Sequence, residues 1–125
     1  TLTGACAIAV GNSIVALMST SPELTAKFKD NAAKAGEKVW ELPLESDYDA
    51  ALKSQVADLK NIGTAGQAGT IVAALFMKNF VKPNLPWVHL DIASTGWTSS
   101  QTALSDVGAT GVMIRSLLQH ILSYN

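Results

Sequence analysis

A chain of 125 residues with 48% hydrophobic and 15% charged side chains fits one domain with a sizeable core, yet carries more apolar surface than such a domain easily hides alone. Its net charge of −1 offers no field to draw nucleic acid or an anionic membrane, and no apolar run approaches the ~20 residues that span a bilayer. The surplus apolar surface points instead to a large interface with further protein.

The chain opens with Thr1-Leu2-Thr3-Gly4 and no methionine, which reads as a piece of a longer protein; no signal peptide is expected. Residues 1–11 fit a strand end turning into a short helix that stops at Gly11. Residues 14–18 form a short apolar run, strand or helix continuation. Ser21-Pro22-Glu23 is a helix start: Ser21 can cap, Pro22 suits the first helical position, and Glu23 favours the positive end. This helix should run to about Ala35, with Leu24, Phe28, Ala32 and Ala35 inward, Lys27, Asp30, Asn31 and Lys34 largely outward, and Gly36 as its stop. Residues 39–44 are extended, since Pro43 disfavours helix before it. One or two helical turns are expected over 47–53, and alternation predicts an edge strand over 56–62. Glycine-rich residues 63–69 then connect to an apolar helix over 70–80 with Ile71, Ala74, Leu75 and Met77 inward.

The stretch Trp87-Val88-His89-Leu90-Asp91-Ile92-Ala93 is nearly continuous in apolar residues, which predicts a central strand covered on both faces. Ser94, Thr95 and Gly96 follow at its carboxyl end, where open α/β sheets place their ligand crevices. A long polar loop is expected over 94–106, and a last helix over 112–124 with Met113, Leu117, His120 and Ile121 on one stripe. Helices alternating with strands predict an α/β fold, a three-layer sandwich with a mostly parallel central sheet flanked by helices.

Chemistry is sparse. The one cysteine, Cys6, lies in an apolar run and reads as a small buried residue in a reducing compartment. Residues 63–69 lack both phosphate-loop patterns, so they read as a turn. His89 and Asp91 share a strand face, but one histidine and one carboxylate are too few for a zinc site, and a buried pair with satisfied hydrogen bonds is the simpler reading. His120 reads as a core or interface residue. Glu41, Glu45, Asp47 and Asp49 read as a solvated face, and Trp40, Trp87 and Trp97 as core and interface anchors. No self-contained catalytic constellation is present.

Four blocks, Thr1-Leu2-Thr3-Gly4-Ala5, Val39-Trp40-Glu41-Leu42-Pro43-Leu44, Ala57-Asp58-Leu59-Lys60-Asn61-Ile62-Gly63 and Trp87-Val88-His89-Leu90-Asp91-Ile92-Ala93, together with Gly108-Ala109-Thr110-Gly111, resemble in order and spacing the C-terminal half of the catalytic domain of leucyl (cytosol) aminopeptidases. The resemblance covers residues 1–125 as a single fragment of that domain. It implies a cytoplasmic, homohexameric exopeptidase acting on peptides with two divalent metal ions, zinc, manganese or magnesium. It also implies that the metal ligands and the catalytic lysine and arginine lie upstream of Thr1, leaving no catalytic or metal-binding residue here. What the match carries over is the wall of the site: Thr1, Leu2 and Gly4 beside the substrate, Ala93 as the pocket floor, and Gly96 next to it. Small residues there leave room for a leucine-sized side chain.

The chain departs from the family pattern at Ser94, where glycine is common, at Gly96, where a bulkier residue is frequent, at Asn12-Ser13, which replaces a histidine-containing pair, and at Val112, where arginine is frequent. The alternative reading is therefore a non-catalytic, aminopeptidase-like structural or interaction protein.

Overall fold

The computed structural model describes Thr1 and residues 3–124. In chain order it contains α1 (Ala5–Val10), β1 (Val15–Ser19), α2 (Pro22–Lys34), β2 (Val39–Glu41), a 3₁₀ helix (Ser46–Leu52), α3 (Gly69–Lys78), β3 (Val88–Asp91), β4 (Trp97–Thr98), β5 (Gly108–Ala109) and α4 (Ile114–Leu122). No helix among the described residues is long and apolar enough to cross a membrane.

The ambiguous run at 14–18 is the central strand. Val15, Ala16, Leu17 and Met18 are all buried, and their alternate side chains serve two different layers. Val15 and Leu17 pack with Phe28 and Ala32 of α2 and with Met113. Ala16 and Met18 pack with Cys6 of α1 and Ala74 of α3. Helices thus lie on both faces, and the three-layer α/β expectation holds.

The sheet order is β2-β1-β3. β1 runs parallel to β2, with Val15 opposite Val39, and antiparallel to β3, with Ala16 opposite Asp91 and Met18 opposite His89. The sheet is therefore mixed, where the sequence suggested mostly parallel. β3, expected at the centre, stands at one edge among the described residues. Its apolar continuity has the expected cause, cover on both faces: Val88 and Leu90 pack towards the α2 layer while Trp87 packs towards the α1 and α3 layer.

Local signals explain α2. Ser21 Oγ accepts from the Leu24 amide at 3.2 Å, and Pro22 opens the helix. Asn31, expected outward, is buried, where its amide donates to His120 Nδ1 at 3.2 Å and to Ser123 Oγ at 3.3 Å. The strand expected over 56–62 does not form. Ser54 Oγ takes the Val56 and Ala57 amides at 3.2 and 3.1 Å, which a ladder would need, and Val56 is 97% exposed. The loop expected over 94–106 begins with β4, which pairs with β5 in a short antiparallel hairpin, Trp97 opposite Ala109. In α3, Ala74 and Leu75 are buried as expected, but Met77 is exposed.

α4 is rolled relative to its expected stripe. Glu37 Oε1 accepts from the Met113 amide at 2.8 Å, while its Oε2 accepts from the Ser116 amide at 2.9 Å and the Ser116 hydroxyl at 2.6 Å. These bonds, with those of Asn31, turn Ser116 and His120 towards α2. Leu117 and Ile121 are left 45% and 64% exposed, and Ile114 and Leu118 join them on an uncovered apolar side.

Candidate site at the end of strand β3

Asp91 ends β3 with a side chain almost wholly buried, 2% exposed for the residue. Aspartate at such a position accepts readily from the amide two residues on. Here Oδ1 takes the Ala93 amide at 3.0 Å and the Thr1 nitrogen, 90 residues away in sequence, at 2.8 Å. Burial acts to raise the Asp91 pKa, but the Thr1 nitrogen and the Ala93 amide outweigh it, so the carboxyl titrates below the ordinary aspartate range.

The start of α1 joins the same knot. Thr1 Oγ1 accepts from the Cys6 amide at 3.3 Å, the Cys6 thiol donates to the Asp91 carbonyl at 3.6 Å, and the Ser94 hydroxyl donates to Cys6 Sγ at 3.6 Å. Cys6 is buried as its apolar run predicts. Gly4 caps α1 in the left-handed region, φ +75°, with its carbonyl accepting from Ala7 and Ile8 at 3.1 and 3.4 Å. A Cβ on Gly4 would meet nothing within 4 Å, so the space beside it is open.

After Asp91 the chain turns tightly: Ile92 O accepts from the Thr95 and Gly96 amides at 3.0 and 2.7 Å. Ala93 sits exposed on this turn and offers only a methyl group. Gly96 lies on the far side of the turn, its carbonyl accepting from Thr110 of the hairpin at 3.0 Å. A Cβ there would stand 3.1 Å from Ile92 O, so Gly96 closes the turn whatever it lines. Of the five residues expected at the wall, Thr1 and Ala93 meet on one carboxylate oxygen, Gly4 follows three residues after Thr1, and Gly96 is set back. Leu2 lies outside the described residues.

The expectation that His89 and Asp91 form a fully satisfied pair is corrected in part. Asp91 Oδ2 and His89 Nε2 are both buried without a hydrogen-bond partner among the described residues. Burial lowers the His89 pKa, the Asp91 charge opposing, so the imidazole is neutral at pH 7. Trp87 packs near this ring, centroids 5.9 Å apart.

The other sequence candidates lie elsewhere. His120 packs between α2 and α4, 5.3 Å from the Phe28 ring, as a core residue should. Glu41 pairs with Lys29 at 3.2 Å at the surface, and Glu45, Asp47 and Asp49 are solvated. Trp40 and Trp97 are exposed and anchor no core, unlike the half-buried Trp87. Two clefts, about 290 Å³ between the 3₁₀ helix and α3 and about 490 Å³ beside β2, include none of the expected wall residues. Among the described residues no three His, Cys, Asp or Glu side chains converge as a metal site would require. These residues do not by themselves fit a metal pair.

Sequence reasoning singled out Asp91 as a buried residue beside His89 but missed its ties to Thr1 and Ala93, and it missed Glu37 altogether. Asp91 carried a local signal, the spacing to Ala93. Glu37 carried none, since its partners are 76 and 79 residues away.

A profile of the cytosol aminopeptidase family, catalytic domain, matches residues 1–118. A probable cytosol aminopeptidase of Rippkaea orientalis is 48% identical over 124 residues, covering 99% of this chain and 25% of that protein. One of Synechocystis is 48% identical over 122 residues, covering 98% and 24%. The chain thus spans about a quarter of the length of the curated relatives it matches. Among solved structures, a tomato leucine aminopeptidase mutant superposes with a TM-score of 0.87 at 35% identity, covering 97% of this chain and 23% of that one. The bottromycin maturation enzyme BotP in complex with Mn gives 0.88 at 33% identity, covering 98% and 27%.

Proposed function

This chain belongs to the cytosol aminopeptidase family, and from that premise we propose that it is the C-terminal portion of the catalytic domain of a leucyl aminopeptidase, supplying substrate-pocket wall and oligomer contacts. The complete protein releases N-terminal amino acids from peptides in the cytoplasm. It uses two divalent metal ions, zinc, manganese or magnesium, whose ligands lie outside this segment. A Mn complex of the similar BotP supports the metal dependence.

The observation that carries this reading is the meeting of Thr1 and Ala93 on Asp91 Oδ1. It fixes two short, small-residue segments side by side at the carboxyl end of a strand, where α/β folds bind ligands. Thr1 and Gly4 form one wall, to which the family resemblance adds Leu2, Ala93 forms the floor, and Gly96 supports the floor by holding its turn. The open space beside Gly4 admits the side chain of the substrate's first residue. The role of these residues is to bind and orient the substrate and exclude water from its side chain; the reaction itself belongs to residues beyond this segment. The uncovered side of α4, with Ile114, Leu117, Leu118 and Ile121, suits contact with further protein, and a homohexamer is the assembly implied by the family resemblance.

The test is release of leucine from a leucyl anilide by the complete protein with Mn2+ or Zn2+. We expect turnover that is lost on chelation and regained on adding metal. A folded, metal-supplied protein with no turnover would leave the non-catalytic, aminopeptidase-like reading.

A further inference from the structure

We propose that Asp91 is a positioning residue for substrate selection: its Oδ1 ties the Thr1 wall to the Ala93 floor and so sets the width of the pocket between them. This rests on the aminopeptidase reading for its functional half. The tie itself stands on the coordinates alone. One oxygen, Oδ1, holds both segments, at 2.8 Å to the Thr1 nitrogen and 3.0 Å to the Ala93 amide. The residue's backbone adds a third link, its carbonyl accepting from the Cys6 thiol at 3.6 Å. Nothing else among the hydrogen bonds of the described residues joins Thr1 directly to the 91–96 turn.

The carboxylate is buried and its second oxygen, Oδ2, does no bonding among the described residues. A side chain held only for solubility would not be buried with half its acceptors idle, because each idle buried acceptor costs stability. The half that bonds is the half that faces both pocket segments. The two oxygens therefore make separable predictions. Asp91→Ala removes the tie. Asp91→Asn keeps an acceptor at Oδ1 and changes only the idle position beside the neutral His89.

In the complete, metal-loaded protein, Asp91→Ala should raise KM for a leucyl anilide about tenfold and for an alanyl anilide less than about threefold, since a small side chain asks less of the pocket's width. Asp91→Asn should restore the leucyl-to-alanyl KM ratio to within about threefold of the wild type. A purely structural role would lower kcat with the amount of active protein and leave that ratio unmoved in both variants, which would overturn the proposal. Amide hydrogen exchange on the same proteins gives a readout free of catalysis. Asp91→Ala should deprotect peptides covering residues 1–11 and 92–96 together while β1 and α2 stay protected; unchanged exchange in both would refute the tie. If Asp91→Ala does not fold, Asp91→Asn decides, and a shifted KM ratio or deprotected turn in that variant overturns the assignment to Oδ1. Wild-type protein that cleaves neither anilide would fail the aminopeptidase reading, and exchange alone would then accept or reject the tie.

Discussion

Replacing Glu37 by alanine should release α4 from the rest of the chain. Its carboxylate, with the side chain only 6% exposed, accepts from the Met113 amide, the Ser116 amide and the Ser116 hydroxyl. Each hydrogen bond to a charged acceptor contributes about 1.5–3 kcal/mol, and two backbone amides at the helix start lose their acceptor when it goes. Such terms overlap, so we expect about 3–5 kcal/mol, the usual cost of stripping one partner from a buried charged cluster. Arg115, at 3.7 Å and half exposed, adds little of this. Because the chain is about a quarter of its relatives' length, the readout should be local. Exchange of the α4 peptide in the complete protein should speed up about a hundredfold or more, as about 3 kcal/mol implies.

The pH dependence has a definite sign. Burial acts to raise the Glu37 pKa, but the Ser116 and Met113 bonds and Arg115 outweigh it, leaving the group below the ordinary value of 4.5. The stabilisation is therefore full above 4.5 and is lost as pH falls through the lower folded value. Wild-type α4, corrected for intrinsic exchange, should lose protection in that acidic window, and Glu37→Gln should flatten the loss. Wild-type exchange rates in Glu37→Ala would refute the reasoning, because α4 would then be held by contacts other than this carboxylate.

Ser21→Ala removes the acceptor of the Leu24 amide at the start of α2 and should cost about 1 kcal/mol, read as faster exchange of the first helical turn. An unchanged turn would mean that Pro22 alone starts the helix. Asn31→Asp swaps the donors to His120 Nδ1 and Ser123 Oγ for a buried carboxylate and should lower the melting temperature at pH 8, by about 1–3 kcal/mol of lost stability. Burial and then the Lys27 charge hold the His120 pKa below the ordinary histidine value, so the loss should shrink only as pH falls into that lower range, because a protonated His120 can donate to the new carboxylate. A deficit independent of pH would place His120 outside that contact.

What could be read in advance was what short-range chemistry decides. Ser21 and Pro22 start α2 by local hydrogen bonding and backbone restriction, and the helix follows. Residues 14–18 showed an apolar run but not its period, and only coverage by α1 and α3 on one face and α2 on the other makes it the central strand. Alternation over 56–62 misled because Ser54 captures the amides that a strand would offer. The β4 and β5 pair, two residues on each side, is too short to leave a pattern. α4 shows an apolar stripe, but polar bonds from Glu37 and Asn31 set its rotation. At the site, family resemblance pointed to Thr1, Gly4 and Ala93. The carboxylate that draws two of them together acts across 90 residues and is legible only in the folded chain.

The most direct test of the proposed pocket is Ala93→Leu in the complete protein. Ala93 meets Asp91 through its backbone amide, so a larger side chain leaves the tie intact and changes only what fills the floor. We predict that KM for a leucyl anilide rises about tenfold or more while that for an alanyl anilide stays within about threefold. Equal effects on the two substrates, or none on either, would contradict Ala93 as the floor of the substrate pocket.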